Sequence, residues 1–442
     1  MRMIQVAAVL AVFVGCGEKK QQPATRDTTV PAPAVTPDAA VAAAPTTPTA
    51  VPDAAPVRVE PPPPAKKPGQ DFIAEINGLY RVVGCGHLDQ PLPEALTRDP
   101  ARAKKYEQVV DRHCKMLRPQ IDKYREDYFG KARAWFIDHQ PKDLPKTVVY
   151  AFGGGDLVSA LVAFPDATEL TTISLELSGD PRRLDTLSPE QLDAALAAFR
   201  KEIGLLISVG SNLSTNLSDQ QRNALASQLS SHLLGMATGG YEPVAARYFK
   251  LDDKGAIHYF TKEEIDADTK PGPALGSGWK APAFAQSFYN VEVEYRAPND
   301  PTIRTFRHVG WNLGDDYLKK HGQLLAHLDA KGKISICVKG ASYLLWTDSF
   351  AMFRQYLIDH TAWMVTDSTG LAPNFVDPTK LEQVAYGRFD GPPTGYGFEP
   401  LNGSKADVAM RKMWAATPHK LPFRFGYLDR KGQSHIVITR PK

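Results

Sequence analysis

The sequence predicts an α/β fold, with a central mixed sheet and flanking helices, that forms one large lobe or two closely packed lobes. One observation is a succession of strand, glycine turn, helix and strand across residues 147–177, the order that places parallel strands side by side. Another is a pair of strand patterns at residues 290–296 and 304–312 around a proline-containing turn, which predicts an antiparallel pair. The globular part is assigned to residues 69–442, with an internal division near residues 270–290 as an alternative.

The start of the chain has the pattern of an export signal. Arg2 supplies a positive charge, residues 3–14 form an apolar run interrupted by Gln5, and a small residue precedes Cys16. This run is too short for a transmembrane helix, which needs about 20 apolar residues. A permanent anchor helix and a secretory signal without lipid are the alternatives to a lipoprotein signal.

The segment Phe13-Val14-Gly15-Cys16 resembles the lipobox of bacterial lipoprotein precursors. The resemblance implies that Cys16 receives a diacylglyceryl group and becomes the mature N-terminus, so residues 1–16 hold the signal and the lipidated cysteine. Glycine instead of aspartate after Cys16 implies the outer membrane of the envelope rather than the inner one. Contact with the membrane would then be made through the lipid.

Residues 17–68 contain 13 Pro and 12 Ala and almost no large apolar side chains. Such a composition cannot bury enough apolar surface to offset the entropy lost on ordering the chain. We therefore expect a disordered tether, partly in the polyproline II conformation, that carries the globular part away from the membrane. Proline-dependent binding of a partner is the alternative.

The charge balance argues against nucleic acid as a partner. The chain has 52 basic and 49 acidic side chains, a formal net charge of +3. Basic pairs such as Lys104-Lys105 and Arg182-Arg183 are scattered among acidic residues, whereas proteins that bind polyanions concentrate them on one face.

Three cysteines remain after Cys16, and export to an oxidising compartment favours a disulfide between Cys85 and Cys114. Two free thiols are one alternative. The other is a zinc site, because His87 and His113 flank the two cysteines and complete a Cys2His2 set. Adjacent positions 113 and 114 of a helix point about 100° apart, which makes a poor chelate, so no metal site is assigned. Cys337 lies in a strand pattern and is expected to be a buried thiol.

The remaining elements follow in chain order. Apolar spacing predicts helices over residues 101–118 and 121–139, with a break at Pro119 because proline cannot continue a helix. Around the glycine turn we expect strands at residues 147–150 and 169–177. The other expected elements are the turn at 152–156, helices at 157–164, 189–209, 219–237, 315–328, 343–364 and 405–416, a strand at 333–338, and a hairpin of residues 422–428 with 433–439.

The glycine turn is the segment with the strongest chemical character. Gly153, Gly154 and Gly155 lie between a strand and a helix, where backbone N–H groups can approach an anion at a helix N-terminus. Asp156 follows them, and Glu176 comes about twenty residues later, near the end of the next strand. Dinucleotide-binding folds place a ribose-binding carboxylate at that point.

Gly153, Gly155 and Glu176 give this stretch a weak resemblance to the first βαβ unit of Rossmann-like methyltransferases, which implies a nucleoside or anion site. Asp180 starts a second loop that would lie on the same edge of the sheet. The alternative is a tight turn in which Asp156 caps the following helix and the glycines serve backbone geometry. No cofactor is assigned, since nucleoside cofactors are not ordinarily supplied outside the inner membrane.

Two common catalytic motifs are missing, Gly-x-Ser-x-Gly and His-Glu-x-x-His. Lys339, Ser342 and Tyr343 form a cluster that could stabilise an anion, although a helix capped by Ser342 accounts for the same residues. Aromatic residues interleave with Gly and Pro near the C-terminus, which suits stacking on a carbohydrate or a peptide, with core packing as the alternative. These are Tyr386, Phe389, Tyr396, Phe398, Phe423, Phe425 and Tyr427.

The stretches FGGGDL, TTISLELSGDP, KGASYLLW and LPFRFGYL make the chain similar to bacterial lipoproteins of uncharacterised function, and this resemblance implies no activity. We therefore expect a lipid-anchored extracytoplasmic protein with a binding role in the envelope, whose ligand is an envelope protein, a peptide or a glycan. The alternative is an α/β enzyme or a nucleoside- or anion-binding protein that uses residues 153–156 together with Glu176.

Overall fold

The computed structural model describes residues 67–209, 225–268, 286–416 and 419–442. All of these residues belong to one compact unit, Glu60–Lys442. The predicted signal with Cys16 and nearly all of the predicted tether lie outside the described residues. None of the described helices is long and apolar enough to cross a bilayer.

The described residues form a single mixed sheet, and the predicted α/β class is confirmed. Its strands are Thr147–Ala151 (β1), Glu169–Ser174 (β2), Glu242–Leu251 (β3), Ile257–Tyr259 (β4), Asn290–Arg296 (β5), Ile303–Gly310 (β6), Ile334–Val338 (β7), Thr361–Thr366 (β8), Leu381–Gly387 (β9) and His435–Pro441 (β10). Their order in the sheet is β4-β3-β5-β6-β2-β1-β7-β8-β10-β9. The five central strands, from β6 to β8, are parallel, and the outer strands pair antiparallel.

Helices flank this sheet on both faces. Numbered among the described residues, they are Ile73–Gly84 (α1), Glu94–Thr97 (α2), Pro100–Tyr124 (α3), Gly130–His139 (α4), Leu157–Ala163 (α5), Pro189–Val209 (α6), Ser227–Gly239 (α7), Lys262–Ala267 (α8), Asp315–Leu318 (α9), Gln323–Asp329 (α10), Ala351–His360 (α11) and Lys405–Ala416 (α12).

Two apolar cores lie on opposite faces of the sheet because side chains alternate along each strand. Val148 and Tyr150 of β1 belong to the core that includes α1, α3, α5 and α7. Val149 and Ala151 belong to the core that includes α10 and α11. The central strand is therefore buried on both faces, as expected of a parallel strand.

The predicted β-turn-α-β unit is confirmed. β1 and β2 are parallel neighbours with Val148 opposite Leu170, and α5 forms the connection. The predicted antiparallel pair is also confirmed, since β5 and β6 pair with Val291 opposite His308. Both predictions depended on short-range patterns, which local sequence carries well.

The break predicted at Pro119 is wrong, because α3 continues through it to Tyr124. Pro119 is exposed, so water can hydrate the carbonyl that lacks an intrahelical partner. The irregularity comes later, at a π-helical turn, Arg125–Phe129, between α3 and α4.

Three predictions in the C-terminal half are also wrong. The helix expected at residues 315–328 is two short helices, α9 and α10. Residues 343–364 contain two 3-10 turns, the helix α11 and the strand β8 instead of one helix. Residues 422–428 form no strand, and β10 pairs with β8 and β9. The Tyr427 N–H donates to the buried Asp367 carboxylate at 3.0 Å, a partner that local spacing cannot reveal.

The predicted disulfide is present, with the Cα atoms of Cys85 and Cys114 5.6 Å apart. It ties the end of α1 to the middle of α3, where Cys114 is buried. The chain-entropy model gives a crosslink over this separation a stabilisation of about 3 to 4 kcal/mol. Cys337 is a buried free thiol in β7.

The first described residue is already bound to the sheet. Lys67 Nζ lies 2.7 Å from Glu292 and 2.8 Å from Glu294, two carboxylates of β5. Arg307 extends the network from Glu292 to Glu169 at 2.7 Å on each side. The contact places Lys67, just before the predicted globular boundary, on the folded unit.

Candidate functional site

Open α/β sheets bind ligands at the carboxyl ends of their strands, in the crevice where two neighbouring strands send their connections to opposite faces. β1 and β7 are such neighbours, because β1 continues into α5 on one face and β7 leads to α11 on the other. The loops that follow them are residues 152–156 and 339–343. The glycine turn therefore borders the place where this class of sheet binds ligands.

A buried ion pair joins the two loops. Lys339 Nζ lies 2.6 Å from Asp156 Oδ2 and 2.8 Å from Ser159 Oγ, and the Tyr150 hydroxyl donates to the same carboxylate at 3.0 Å. Burial lowers the pKa of Lys339, but the adjacent Asp156 carboxylate, together with Tyr128 and Cys337, raises the pKa above its ordinary value. Lys339 is therefore a cation at neutral pH and cannot serve as a base for Ser159.

The glycines of this turn allow close packing. A Cβ added to Gly155 would lie 2.7 Å from the Ser231 Cβ of α7, and one added to Gly153 would lie 2.9 Å from the Tyr150 ring. Gly154 has a φ of +49°, a conformation that favours glycine. We call residues 153–156 the closed turn, because α7 and the ion pair cover it.

Asp156 caps the helix that follows it, as the tight-turn alternative expects. Its Oδ1 accepts a hydrogen bond from the Ser159 N–H at 3.3 Å, which makes Asp156 the N-cap of α5. Asp180 is also a cap, for the 3-10 turn Pro181–Thr186, and it pairs with Arg182 at 2.8 Å. Both carboxylates therefore have partners within the fold.

Glu176 lies two residues beyond the end of β2 and is only 3 % exposed. Its backbone carbonyl accepts a hydrogen bond from His308 Nε2 at 2.8 Å, and the Thr172 hydroxyl donates to His308 Nδ1 at 3.0 Å. This assigns the proton of the neutral ring to Nε2. The contact of Glu176 with the sheet is thus made through its backbone, and Glu176 is buried at the end of β2.

Two histidines link Glu176 to the closed turn. His232 of α7 donates from Nε2 to the Gly154 carbonyl at 2.8 Å, and its ring centroid lies 4.9 Å from that of His308. Burial lowers the pKa of His308 to about 4 and lowers that of His232 well below its ordinary value. Both rings are therefore neutral at pH 7, and the structure does bring Gly154 and Glu176 to one edge.

Several buried polar atoms beside the closed turn have no hydrogen-bond partner. They include both amide atoms of Gln228, Nδ1 of His232 and the hydroxyl of Ser174. Gln228 is fully buried, and its Oε1 is 2.8 Å from the position of a Gly155 Cβ. Buried polar atoms of native proteins usually have a protein, water or ligand partner.

An exposed aromatic segment lies at the same edge, beyond β7. Tyr396 is 49 % exposed, and its ring plane lies within 17° of Phe398 and 24° of Tyr427, with centroids 6.3 and 6.4 Å away. Tyr343, in the loop after β7, packs on Phe398 at 5.0 Å. Cβ atoms added to Gly395 and Gly397 would meet nothing within 4 Å. We call residues 391–398 the open loop.

The loop after β7 departs from the predicted capped helix. Ser342 and Tyr343 have φ values of +48° and +57°, which non-glycine residues rarely adopt and which often mark functional sites. Ser342 Oγ lies 3.4 Å from the Tyr427 hydroxyl, while Lys339 points into the closed turn. The predicted Lys-Ser-Tyr cluster is therefore divided between the two regions.

The two cysteines of the zinc alternative are not free to bind a metal ion. The sulfurs of Cys85 and Cys114 are bonded to each other, and His113 contacts the Val83 carbonyl and Arg200. Among the described residues no group of three or more His, Cys, Asp or Glu side chains could hold a metal ion.

Comparisons with known proteins give no family for this chain. No protein-family model matches it, and neither a curated protein nor a solved structure is significantly similar.

The residues that close the turn from the α7 side could not be recognised from the sequence. Gln228 and His232 stand in an otherwise ordinary helical pattern, with no motif around them. Lys339 was recognised, but its partner Asp156 is 183 positions away in sequence. The position of Lys339 immediately after a buried parallel strand was the only sequence feature that pointed to a buried charge at this edge.

Proposed function

We propose that this protein is exported, anchored by a lipid on Cys16 in the outer membrane, and binds an envelope glycan through the open loop. The lipobox and the Pro/Ala-rich segment behind it support the anchor. The Cys85–Cys114 disulfide supports an oxidising compartment outside the cytoplasm.

The exposure of Tyr396 carries the assignment of the binding surface. An exposed aromatic ring that is backed by further aromatic rings offers a flat apolar face to the C–H side of a sugar ring. Phe398 and Tyr427 provide that backing, and the strained Ser342-Tyr343 backbone lies next to it. The closed turn, filled by Lys339 and α7, favours this surface over a nucleoside site at residues 153–156.

The glycan assignment is tested by co-sedimentation of the full-length protein with insoluble peptidoglycan sacculi. We expect Tyr396→Ala to reduce the bound fraction at least about fivefold, since it removes the exposed ring and little buried area. Met116→Ala is the matched control, because Met116 is a similarly exposed apolar residue at 52 %. Binding of Tyr396→Ala that equals wild type, or equal losses in both variants, would show that the open loop is not the glycan surface.

The anchor is tested separately by fractionation of cells that produce Cys16→Ala. We expect the variant to be released from the membrane or left unprocessed, because it has no thiol for the lipid. A variant that remains as tightly bound to the outer membrane as wild type would contradict the anchor without affecting the glycan assignment.

Binding of a small polar ligand beside the closed turn is a second candidate function. The unpartnered side-chain amide of the buried Gln228 favours it. Its test compares Gln228→Leu with wild type in thermal unfolding, with and without adenosine. If adenosine stabilises the wild type but not the variant, the result supports a nucleoside site beside Gln228. If Gln228→Leu is more stable than wild type and neither protein responds to adenosine, Gln228 has a structural role and the region beside the closed turn binds no nucleoside.

A further inference from the structure

The sheet has a second feature at its far edge, distant in sequence from the closed turn. A cavity of about 380 Å³ lies where the end of β9 meets residues 419–421 and residues 433–434. The residues that line it include Arg388, His419, Lys420 and Gln433. Small-molecule sites have volumes of roughly 300–1,000 Å³, so the cavity can hold an organic molecule.

The backbone around this cavity is fixed by hydrogen bonds. The Gly387 N–H donates to the His419 carbonyl at 2.7 Å, and the Arg388 N–H donates to the Ser434 carbonyl at 3.1 Å. The rings of Tyr386 and His419 pack at 5.1 Å. Three chain segments are thus held together, and the cavity is formed before any ligand arrives.

The charge of the cavity is unbalanced. Arg388 and Lys420 are exposed, and neither forms an ion pair with any residue in the described part of the chain. The nearby carboxylate of Asp390 is already bound by Arg411, Arg430 and Lys431. No acidic side chain is among the described residues that line the cavity.

Asp429, the other acidic residue nearby, is also occupied. Its oxygens accept hydrogen bonds from the N–H groups of Asp390, Lys431 and Gln433, at 2.7 to 2.9 Å. Neither the Asp390 nor the Asp429 carboxylate is therefore available to the cations at the cavity.

We propose that this cavity binds a small organic anion through a carboxylate or phosphate group held by Arg388 and Lys420. A guanidinium group donates two parallel hydrogen bonds to either oxyanion, and an ammonium group adds a point charge. Leu421 and the ring of His419 provide apolar surface for the rest of the ligand. This site is separate from the open loop and does not depend on the glycan assignment.

The test is calorimetric titration of the full-length protein with benzoate, phenyl phosphate and the uncharged analogue benzamide. We expect saturable binding of benzoate or phenyl phosphate below about 1 mM and none of benzamide. Preference for benzoate indicates a carboxylate ligand, and preference for phenyl phosphate indicates a phosphate ligand. Binding of benzamide as tight as that of benzoate, or no saturable binding of either anion, would overturn the proposal.

Variants locate the binding. Arg388→Gln and Lys420→Gln should each weaken it about tenfold, since each removes one charged hydrogen-bond donor. Arg118→Gln on α3 is the matched control, an exposed arginine without an ion pair among the described residues. Tyr396→Ala, the open-loop variant, should leave anion binding unchanged. Equal weakening in Arg118→Gln and Arg388→Gln would mean that only overall charge matters and would contradict a site.

Discussion

The closed turn and the open loop are both glycine-rich and lie at the carboxyl edge of one sheet, yet they have opposite surroundings. In the closed turn, a Cβ on Gly155 would collide with α7. In the open loop, Gly395 and Gly397 have φ values near +80° and nothing within reach of an added Cβ. Glycine permits close approach at Gly155 and an unusual backbone at Gly395 and Gly397.

Glycine content alone therefore does not identify a ligand site. The closed turn has the strand-glycine-helix order of a phosphate-binding loop, but its crevice contains Lys339 and its Gly154 carbonyl is bound by His232. The open loop has no recognised motif, but it exposes Tyr396 on a backing of aromatic rings. Exposure distinguishes the two regions.

The largest expected effect is that of removing the charge that fills the closed turn. Lys339→Met leaves the buried Asp156 without a counter-charge and should reduce the free energy of unfolding by about 3–5 kcal/mol, measured by urea unfolding. The double variant Lys339→Met/Asp156→Asn should recover part of the loss, because asparagine still caps α5. Lys412→Met, at an exposed lysine, is the control. A Lys339→Met protein as stable as the control would show that the ion pair does not hold the crevice closed.

Acid should weaken the closed turn next. The pKa of His308 is lowered to about 4 in the folded state, against about 6.5 when unfolded. The folded protein binds fewer protons between these values, so stability is fully present above pH 6.5 and decreases as the pH falls towards 4, by about 3 kcal/mol for this group. Urea unfolding at several pH values measures the slope.

The variant His308→Gln removes the titrating ring while it keeps an N–H donor for the Glu176 carbonyl. It should reduce the slope of the free energy of unfolding against pH between pH 6.5 and 4. The slope that remains belongs to groups such as His232, whose pKa is also lowered. A slope identical to wild type would contradict the neutral buried state of His308.

A smaller effect comes from adding one methyl group to the closed turn. Gly155→Ala places a Cβ against Ser231 and should cost about 1–3 kcal/mol in urea unfolding. Gly204→Ala is the matched control, since Gly204 lies in the helix α6 with nothing near an added Cβ, and there the change should stabilise by about 0.5–1 kcal/mol. If both changes had the same sign, close packing would not explain Gly155.

The smallest effect is expected at Glu176. Because its backbone carbonyl makes the contact with His308, Glu176→Ala should change the free energy of unfolding at pH 7 by less than about 1 kcal/mol. A loss above about 2 kcal/mol would mean that the carboxylate has a buried partner, and the closed turn would then contain a second ionic contact.

Much of the fold could be predicted from short-range patterns. The β1-α5-β2 unit, the β5–β6 pair, α6 and α12 were expected from spacing and turn residues, and the Cys85–Cys114 bond from compartment and cysteine count. The errors came where a distant partner decided the outcome. Residues 422–428 have a strand pattern, but the buried Asp367 takes the Tyr427 N–H.

The candidate site could be predicted only in part. Asp156 was identified both as a candidate ligand residue and as a cap, and the structure shows the cap. The polar partners that α7 supplies, Gln228 and His232, had no sequence signal, because a lone Gln or His in an apolar helix is common.

The α/β class, the parallel unit around the glycine turn and the disulfide could all be predicted from local sequence. These follow from the periodicity of apolar side chains, from glycine and proline at turns, and from the chemistry of a cysteine pair. The tertiary structure alone decided that Lys339 fills the turn 183 positions earlier in the chain and that Tyr396 stays exposed. The reason is that strand order in the sheet, which sequence spacing does not encode, determines which loops become neighbours and which side chains they bury.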